Sequence, residues 1–312
     1  MSIRLGYQIP NFTYPGVPVE SLFDTVVAQA REAEGSGYDT VFVMDHFYQL
    51  PGIGTPDQPM LEAYTTLGAL AASTSTIQLS TLVTGNTYRN PTLLAKSVTA
   101  LDVVSKGRAI LGIGAGWYER EHQDLGFEFG TFTDRFERLE EALEIILPML
   151  RGEAPTFSGK WYRASTAMNN PRLRPSIPVM LGGSGEKKTF RLAAKYADHM
   201  NIICPLTELP HKVSVLRQRC EEAGRDPSTL ETTTHVMVMP TKSDVETQQM
   251  LERVPADRAA RALVGTPEQI AERVQSEILD AGVTGLTLAM PVNGHVPGTV
   301  AAVGAALTPL VK

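Results

Sequence analysis

The chain has 312 residues, 43% of them hydrophobic and 20% charged, which is ordinary for a globular protein of one large domain or two small ones. A formal net charge of −6 speaks against a nucleic-acid binder, which would carry a basic balance. Two cysteines, Cys204 and Cys220, make a disulfide framework unexpected and suit a reducing cytosol; no apolar run approaches the length of a membrane span, and "MSIRLGYQIP" shows no signal-peptide core.

Short apolar runs alternate with helical patterns along the whole chain. "IRLGYQI" (3–9) predicts a strand and 19–37 a helix that stops at Gly35 or Gly37. "TVFVM" (40–44) and the helix at 60–74 repeat the pair, as do "IQLSTLV" (77–83) and 91–105. "RAILGIG" (108–114) leads to a helix at 133–150, where Phe136, Leu139, Leu143, Ile146 and Leu150 share one face. The second half continues with strands at 178–183, 199–204, 232–240 and 284–290. Helices are predicted at 187–197, 208–224, 243–263, 267–282 and 298–310.

Strands separated by helices must run parallel, because a parallel neighbour needs a crossover connection. Eight of them in a chain of this length predict a (β/α)8 TIM barrel spanning 1–312 as one domain, with a doubly wound open sheet as the alternative. The polar stretch 152–176 breaks the rhythm and reads as an excursion, or insertion, at the C-terminal mouth of the barrel.

In such a barrel the chemistry lies at the C-terminal strand ends. "VFVMDHFYQ" (41–49) runs an apolar strand directly into Asp45 and His46, so both face that end. A histidine can give or take a proton near neutrality, which makes His46 the titratable candidate. No two histidines stand four apart and no Cys/His cluster has ligand spacing, so no metal site is expected. "GIGAGW" (112–117) fails as a dinucleotide fingerprint, since Trp117 stands where the third glycine belongs. "GGSGEKKT" (182–189) fails as a Walker loop. Its glycines, the following helix and Lys187 and Lys188 still suit an anion, and Arg89 is a weaker anion candidate. Glu119, Glu121 and His122 read as a solvated helix face. Phe47, Tyr48, Trp117, Tyr118 and Trp161 are candidates for an apolar pocket lining.

"FVMDHF", "LSTLVTGNTYRNPTLLAKSVTALDVVSKGRAILGIGAGWYEREHQDLGF", "RFERLEEALEIILPML", "PVMLGGSGEKKTFRLAAKYADHMN" and "GTPEQIAERV" together resemble the luciferase-like monooxygenase superfamily, most closely its F420-dependent oxidoreductases of actinobacterial type. The resemblance implies the barrel, a deazaflavin or flavin over the strand ends, and a non-proline cis peptide within Thr81, Leu82 and Val83 that backs the ring. It implies that Asp45 and His46 lie near the ring's reactive edge, with His46 relaying a proton and Asp45 orienting it or touching the ring. It also places Gly182, Gly183, Ser184 and Gly185 near the coenzyme phosphate. The function implied is hydride transfer between coenzyme F420 and a small organic substrate. An FMN-dependent monooxygenase and a non-catalytic coenzyme-binding protein are the alternatives, and a homodimer is a possible assembly. Trp117 stands where the family's sugar-phosphate dehydrogenases carry a catalytic glutamate, so neither their substrate nor their acid/base pair is expected here.

Overall fold

The computed structural model describes residues 2–254 and 262–311. In chain order the strands of the first half are β1 (Leu5–Ile9), β2 (Thr40–Val43), β3 (Gln78–Thr81), β4 (Thr84–Gly85) and β5 (Leu111–Gly114). A small antiparallel hairpin follows, β6 (Phe157–Ser158) and β7 (Arg163–Ala164). The second half supplies β8 (Val179–Gly183), β9 (His199–Ile202), β10 (Glu231–Pro240), β11 (Ala262–Gly265) and β12 (Gly285–Ala289). The described helices are α1 (Leu22–Glu34), α2 (Ala63–Ser73), α3 (Pro91–Val104), α4 (Glu119–Leu125), α5 (Phe132–Arg151), α6 (Thr189–Tyr196), α7 (Leu209–Glu222), α8 (Asp244–Arg253), α9 (Pro267–Arg273) and α10 (Thr299–Val311).

Apart from the hairpin, every described strand pair is parallel, in the order β3-β2-β1-β12-β10-β9-β8-β5-β4. The two ends of that order meet: Leu79 of β3 bridges Ala109, and Thr84 of β4 pairs with Ile113 of β5. This is the expected barrel, with its third stave broken into β3 and β4. Alternation explains which side chains go where. In β12, Leu286 and Leu288 pack outward under the helices, whereas Thr287 joins a polar layer inside. That layer links Asn201, Thr233, Thr287, His199 and His235 by side-chain hydrogen bonds. Ile3, Phe42, Leu82, Ile110 and Met180 form a separate buried cluster.

Helix α5 shows the sequence logic plainly. Thr131 and Asp134 form a reciprocal capping box, Gly152 ends the helix in the left-handed region at φ +85°, and Leu139, Leu143, Ile146 and Leu150 are buried as their spacing requires. The excursion after it is tied back to α5: the Glu141 carboxylate accepts the N–H groups of Lys160, Trp161 and Tyr162 at 2.8, 2.9 and 3.0 Å. The helix expected over 243–263 ends at Arg253, and Ala262–Gly265 is a strand paired with β10; residues 255–261 lie outside the described residues. No described helix is long and apolar enough to cross a membrane.

The inner layer carries a pH signature. Burial lowers the His235 pKa from about 6.5 to about 4, because a charged imidazolium is poorly solvated inside the barrel. The unfolded chain therefore binds this proton at a higher pH than the native one. His235 contributes stability in full above about pH 6.5 and loses it progressively as the pH falls toward 4. We expect the wild-type melting temperature to decline across that window, and His235→Gln to flatten the decline. Parallel slopes for the two proteins would contradict this.

Candidate functional site

The third stave breaks at the Leu82–Val83 peptide, which is cis and lies within the segment where the resemblance implied such a bond. A chain of hydroxyls braces the break. Tyr64 Oη lies 2.7 Å from Thr84 Oγ1, which lies 2.8 Å from Thr81 Oγ1, and Thr81 donates to the Gly112 carbonyl at 3.0 Å. Gln8 Nε2 donates to the Leu82 carbonyl at 3.1 Å. Thr81 and Leu82 are buried, so Val83 is the member of the predicted trio that is partly exposed. Its side chain lies over two glycines: a Cβ on Gly182 would come within 2.8 Å of Val83, and one on Gly114 within 3.0 Å. Gly182 thus makes room for the bulge, which is a different task from the phosphate contact expected of it.

Asp45 and His46 follow β2 as predicted, but they face different partners. The Asp45 carboxylate is 2% exposed and accepts two hydrogen bonds from Arg89, at 2.7 and 3.0 Å, plus the Gly85 N–H at 3.1 Å. Burial pushes its pKa up, while the Arg89 guanidinium pulls it back. Arg89 also bonds Glu62 at 2.5 Å and lies over the Tyr64 ring. It is placed by the start of α3, where the Asn90 side chain caps the helix through the Thr92 N–H. With two carboxylates on it, Arg89 is not the anion site considered from the sequence. Asp45 and Arg89 instead fasten the β2 end to Gly85, two residues past the bulge.

His46 Nδ1 lies 2.9 Å from Glu121 Oε2. The same carboxylate takes the N–H groups of Phe47 and Tyr48 at 2.6 and 2.8 Å and the Tyr88 hydroxyl at 2.5 Å. Glu121 is fully buried. Burial alone would raise its pKa, but the His46, Tyr88 and Tyr48 hydrogen bonds outweigh burial and lower it. An ionised carboxylate can only accept. The proton on His46 therefore sits on Nδ1, and Nε2 of the neutral ring keeps a free lone pair. Nε2 has no hydrogen-bond partner among the described residues.

This overturns the expectation of a solvated face at 119–122. Glu121 and His122 are buried, while Glu119, Arg120, Gln123 and Asp124 are exposed. The signal was present: Tyr118, Glu121 and His122 have the i, i+3, i+4 spacing of one helix face. His122 is a strut. Its Nδ1 donates to the Tyr118 carbonyl at 2.8 Å, Thr87 Oγ1 lies 2.6 Å from its Nε2, and burial lowers its pKa.

Of the aromatic candidates, Trp117 and Tyr118 stand against His46, with ring centroids at 5.7 and 5.9 Å. Phe47 instead packs among Tyr88 and Phe127, and Trp161 is held on α5 by Glu137 and Arg138. Tyr48 enters through its backbone, on Glu121. The glycine turn lies at the β8 end. Gly183 has φ +139°, which favours glycine, and the N–H groups of Ser184, Gly185, Glu186 and Lys187 donate no hydrogen bond among the described residues. Lys187 is exposed beside them. Lys188 turns to α5, with Thr133 at 3.3 Å and the rings of Phe132 and Phe136 beneath its ammonium. Free N–H groups ahead of a helix, with an exposed lysine beside them, suit an anion. No group of three His, Cys, Asp or Glu among the described residues could hold a metal ion.

Residues 3–256 match the family model described as luciferase-like monooxygenase. Among curated relatives, the F420-dependent glucose-6-phosphate dehydrogenase of Nakamurella multipartita is 32% identical over 271 residues, covering 86% of this chain and 75% of the relative. Among solved structures, an F420-dependent secondary alcohol dehydrogenase in complex with an F420-acetone adduct superposes with a TM-score of 0.81 at 21% identity, over 100% of both chains. The EDTA monooxygenase of Chelativorans sp. BNC1 gives 0.82 at 15% identity, over 100% of this chain and 94% of that one. At those identities the two structures share the fold.

Proposed function

The chain belongs to the luciferase-like monooxygenase family, and we propose that it is an oxidoreductase that moves a hydride between coenzyme F420 and a small organic substrate. The observation that carries this reading is the His46–Glu121 pair, which leaves Nε2 free at the strand ends. The F420-dependent relative at 32% identity supports the choice of coenzyme.

The residues present fit such a group. Val83, raised over Gly114 and Gly182, offers an apolar support for a flat ring, and the N–H groups of Ser184, Gly185 and Glu186 with Lys187 suit a phosphate. When bound, the coenzyme supplies or accepts the hydride; the chain supplies position and the proton. His46 Nε2 takes the proton from a substrate hydroxyl as a carbonyl forms, or returns it in the opposite direction. Glu121 fixes the ring's tautomer by accepting from Nδ1. Asp45 acts through Arg89 and Gly85 and is a positioning residue. Thr81 and Leu82 brace the bulge, and Val83 would support the ring.

An FMN-dependent monooxygenase on the same barrel is the rival. Anaerobic incubation with oxidised or reduced F420, followed by absorbance, should show the coenzyme changing redox state with substrate. Copurified stoichiometric FMN, with oxygen uptake in the presence of a flavin reductase, would falsify the reading. The cytosolic location and the pairing of two copies expected from the sequence accompany this reading as proposals.

A further inference from the structure

We propose that the substrate is an uncharged alcohol–carbonyl pair with a bulky apolar body, and that Trp117 selects it. The proposal rests on the oxidoreductase reading above. Trp117 is a large apolar side chain left 61% exposed directly beside the base, edge-on to His46 at 5.7 Å and stacked on Tyr118 at 5.2 Å. It is presented rigidly. Gly116 holds φ +81° with the Thr87 hydroxyl packed where a Cβ would lie, and Arg135 Nε donates to the Gly116 carbonyl at 3.2 Å. An exposed indole on a fixed turn beside a catalytic imidazole is a wall awaiting an apolar contact.

The charges around it favour a neutral partner. Arg89 is held by Asp45 and Glu62. Glu121 already accepts four hydrogen bonds. Arg135 donates to the Gly116 and Gly130 carbonyls and lies over Phe129 at 3.9 Å. Lys188 lies on the Phe132 and Phe136 rings, and Lys187 belongs to the glycine turn. A phosphorylated sugar would bring two negative charges to a base flanked by an indole and a phenol ring, where Arg89, Arg135 and Lys188 are already engaged and Lys187 is assigned to the coenzyme phosphate. The step balances simply. The carbinol C–H bond gives its hydride to the deazaflavin, the O–H proton passes to His46 Nε2, and the C=O bond forms; reduction of the ketone is the reverse.

The test uses cyclohexanol and glucose 6-phosphate as probes. The chain has two tryptophans, so Trp161→Phe leaves Trp117 as the indole that reports. Its fluorescence should respond saturably to cyclohexanol and not to glucose 6-phosphate, with no coenzyme present. With F420, kcat/KM should favour cyclohexanol. Trp117→Ala should raise the KM for cyclohexanol roughly 10- to 100-fold with kcat little changed, and Trp117→Phe should recover most of the loss. Absence of a saturable response to cyclohexanol, a lower KM for glucose 6-phosphate, or an unchanged KM in Trp117→Ala would each overturn the proposal. A protein that binds cyclohexanol at Trp117 but does not bind F420 would fail the oxidoreductase reading alone.

Discussion

His46→Ala should lower turnover by roughly 10²–10⁴-fold, the span of general acid–base catalysis, while coenzyme affinity changes little. The variant removes a nitrogen that combines a free lone pair with a fixed tautomer, and it leaves Val83, Gly182 and the Ser184–Lys187 N–H groups in place. The measurement is a saturation curve in substrate together with a coenzyme titration of the same preparation. Lost affinity with normal turnover at saturation would make His46 a binding residue. Near-wild-type behaviour in both would reduce it to a loop histidine.

Glu121→Gln should be nearly as severe, although the side chain touches no reacting atom. An amide keeps the shape but cannot accept from His46, Tyr88, Phe47 and Tyr48 together, because half of it has become a donor. If the NH2 group faces His46, Nδ1 must accept and the proton moves to Nε2, so the base is blocked. Replacing a carboxylate that orients a catalytic imidazole by its amide can reduce kcat by up to about 10⁴-fold. The buried mismatch should also destabilise the fold by about 1–3 kcal/mol. A shift in the pH–rate profile separates this role from a purely structural one. A normal kcat and an unmoved profile, with only a lower melting temperature, would make Glu121 a strut.

The barrel was legible because its two periodicities are strong. Residues such as Leu286 and Leu288 alternate, and the Leu139 to Leu150 face repeats every three or four. Asp45 and His46 were legible because a polar pair ending an apolar strand has one natural place in a barrel. Ala262–Gly265 was missed because four apolar residues after a helical pattern look like the helix's own end. Glu121 was missed for a different reason. It stands among Glu119, Arg120 and Asp124, and composition over a short window hides the spacing that turns it inward. The pairing of Arg89 with Asp45 spans 44 residues of sequence and appears only when β2 and the β3–β4 stave lie side by side. The turning of Lys188 toward α5 likewise depends on Thr133, Phe132 and Phe136 arriving from another element.

The most direct test of the central claim is an equilibrium titration of the purified protein with F420 and with FMN, side by side, read by coenzyme fluorescence. The free N–H groups of Ser184, Gly185 and Glu186, with Lys187 beside them, should appear in both curves as salt-sensitive phosphate binding. F420 should bind saturably and stoichiometrically, tighter than FMN by at least about tenfold, a difference of about 1.4 kcal/mol. Equal or tighter binding of FMN would contradict it.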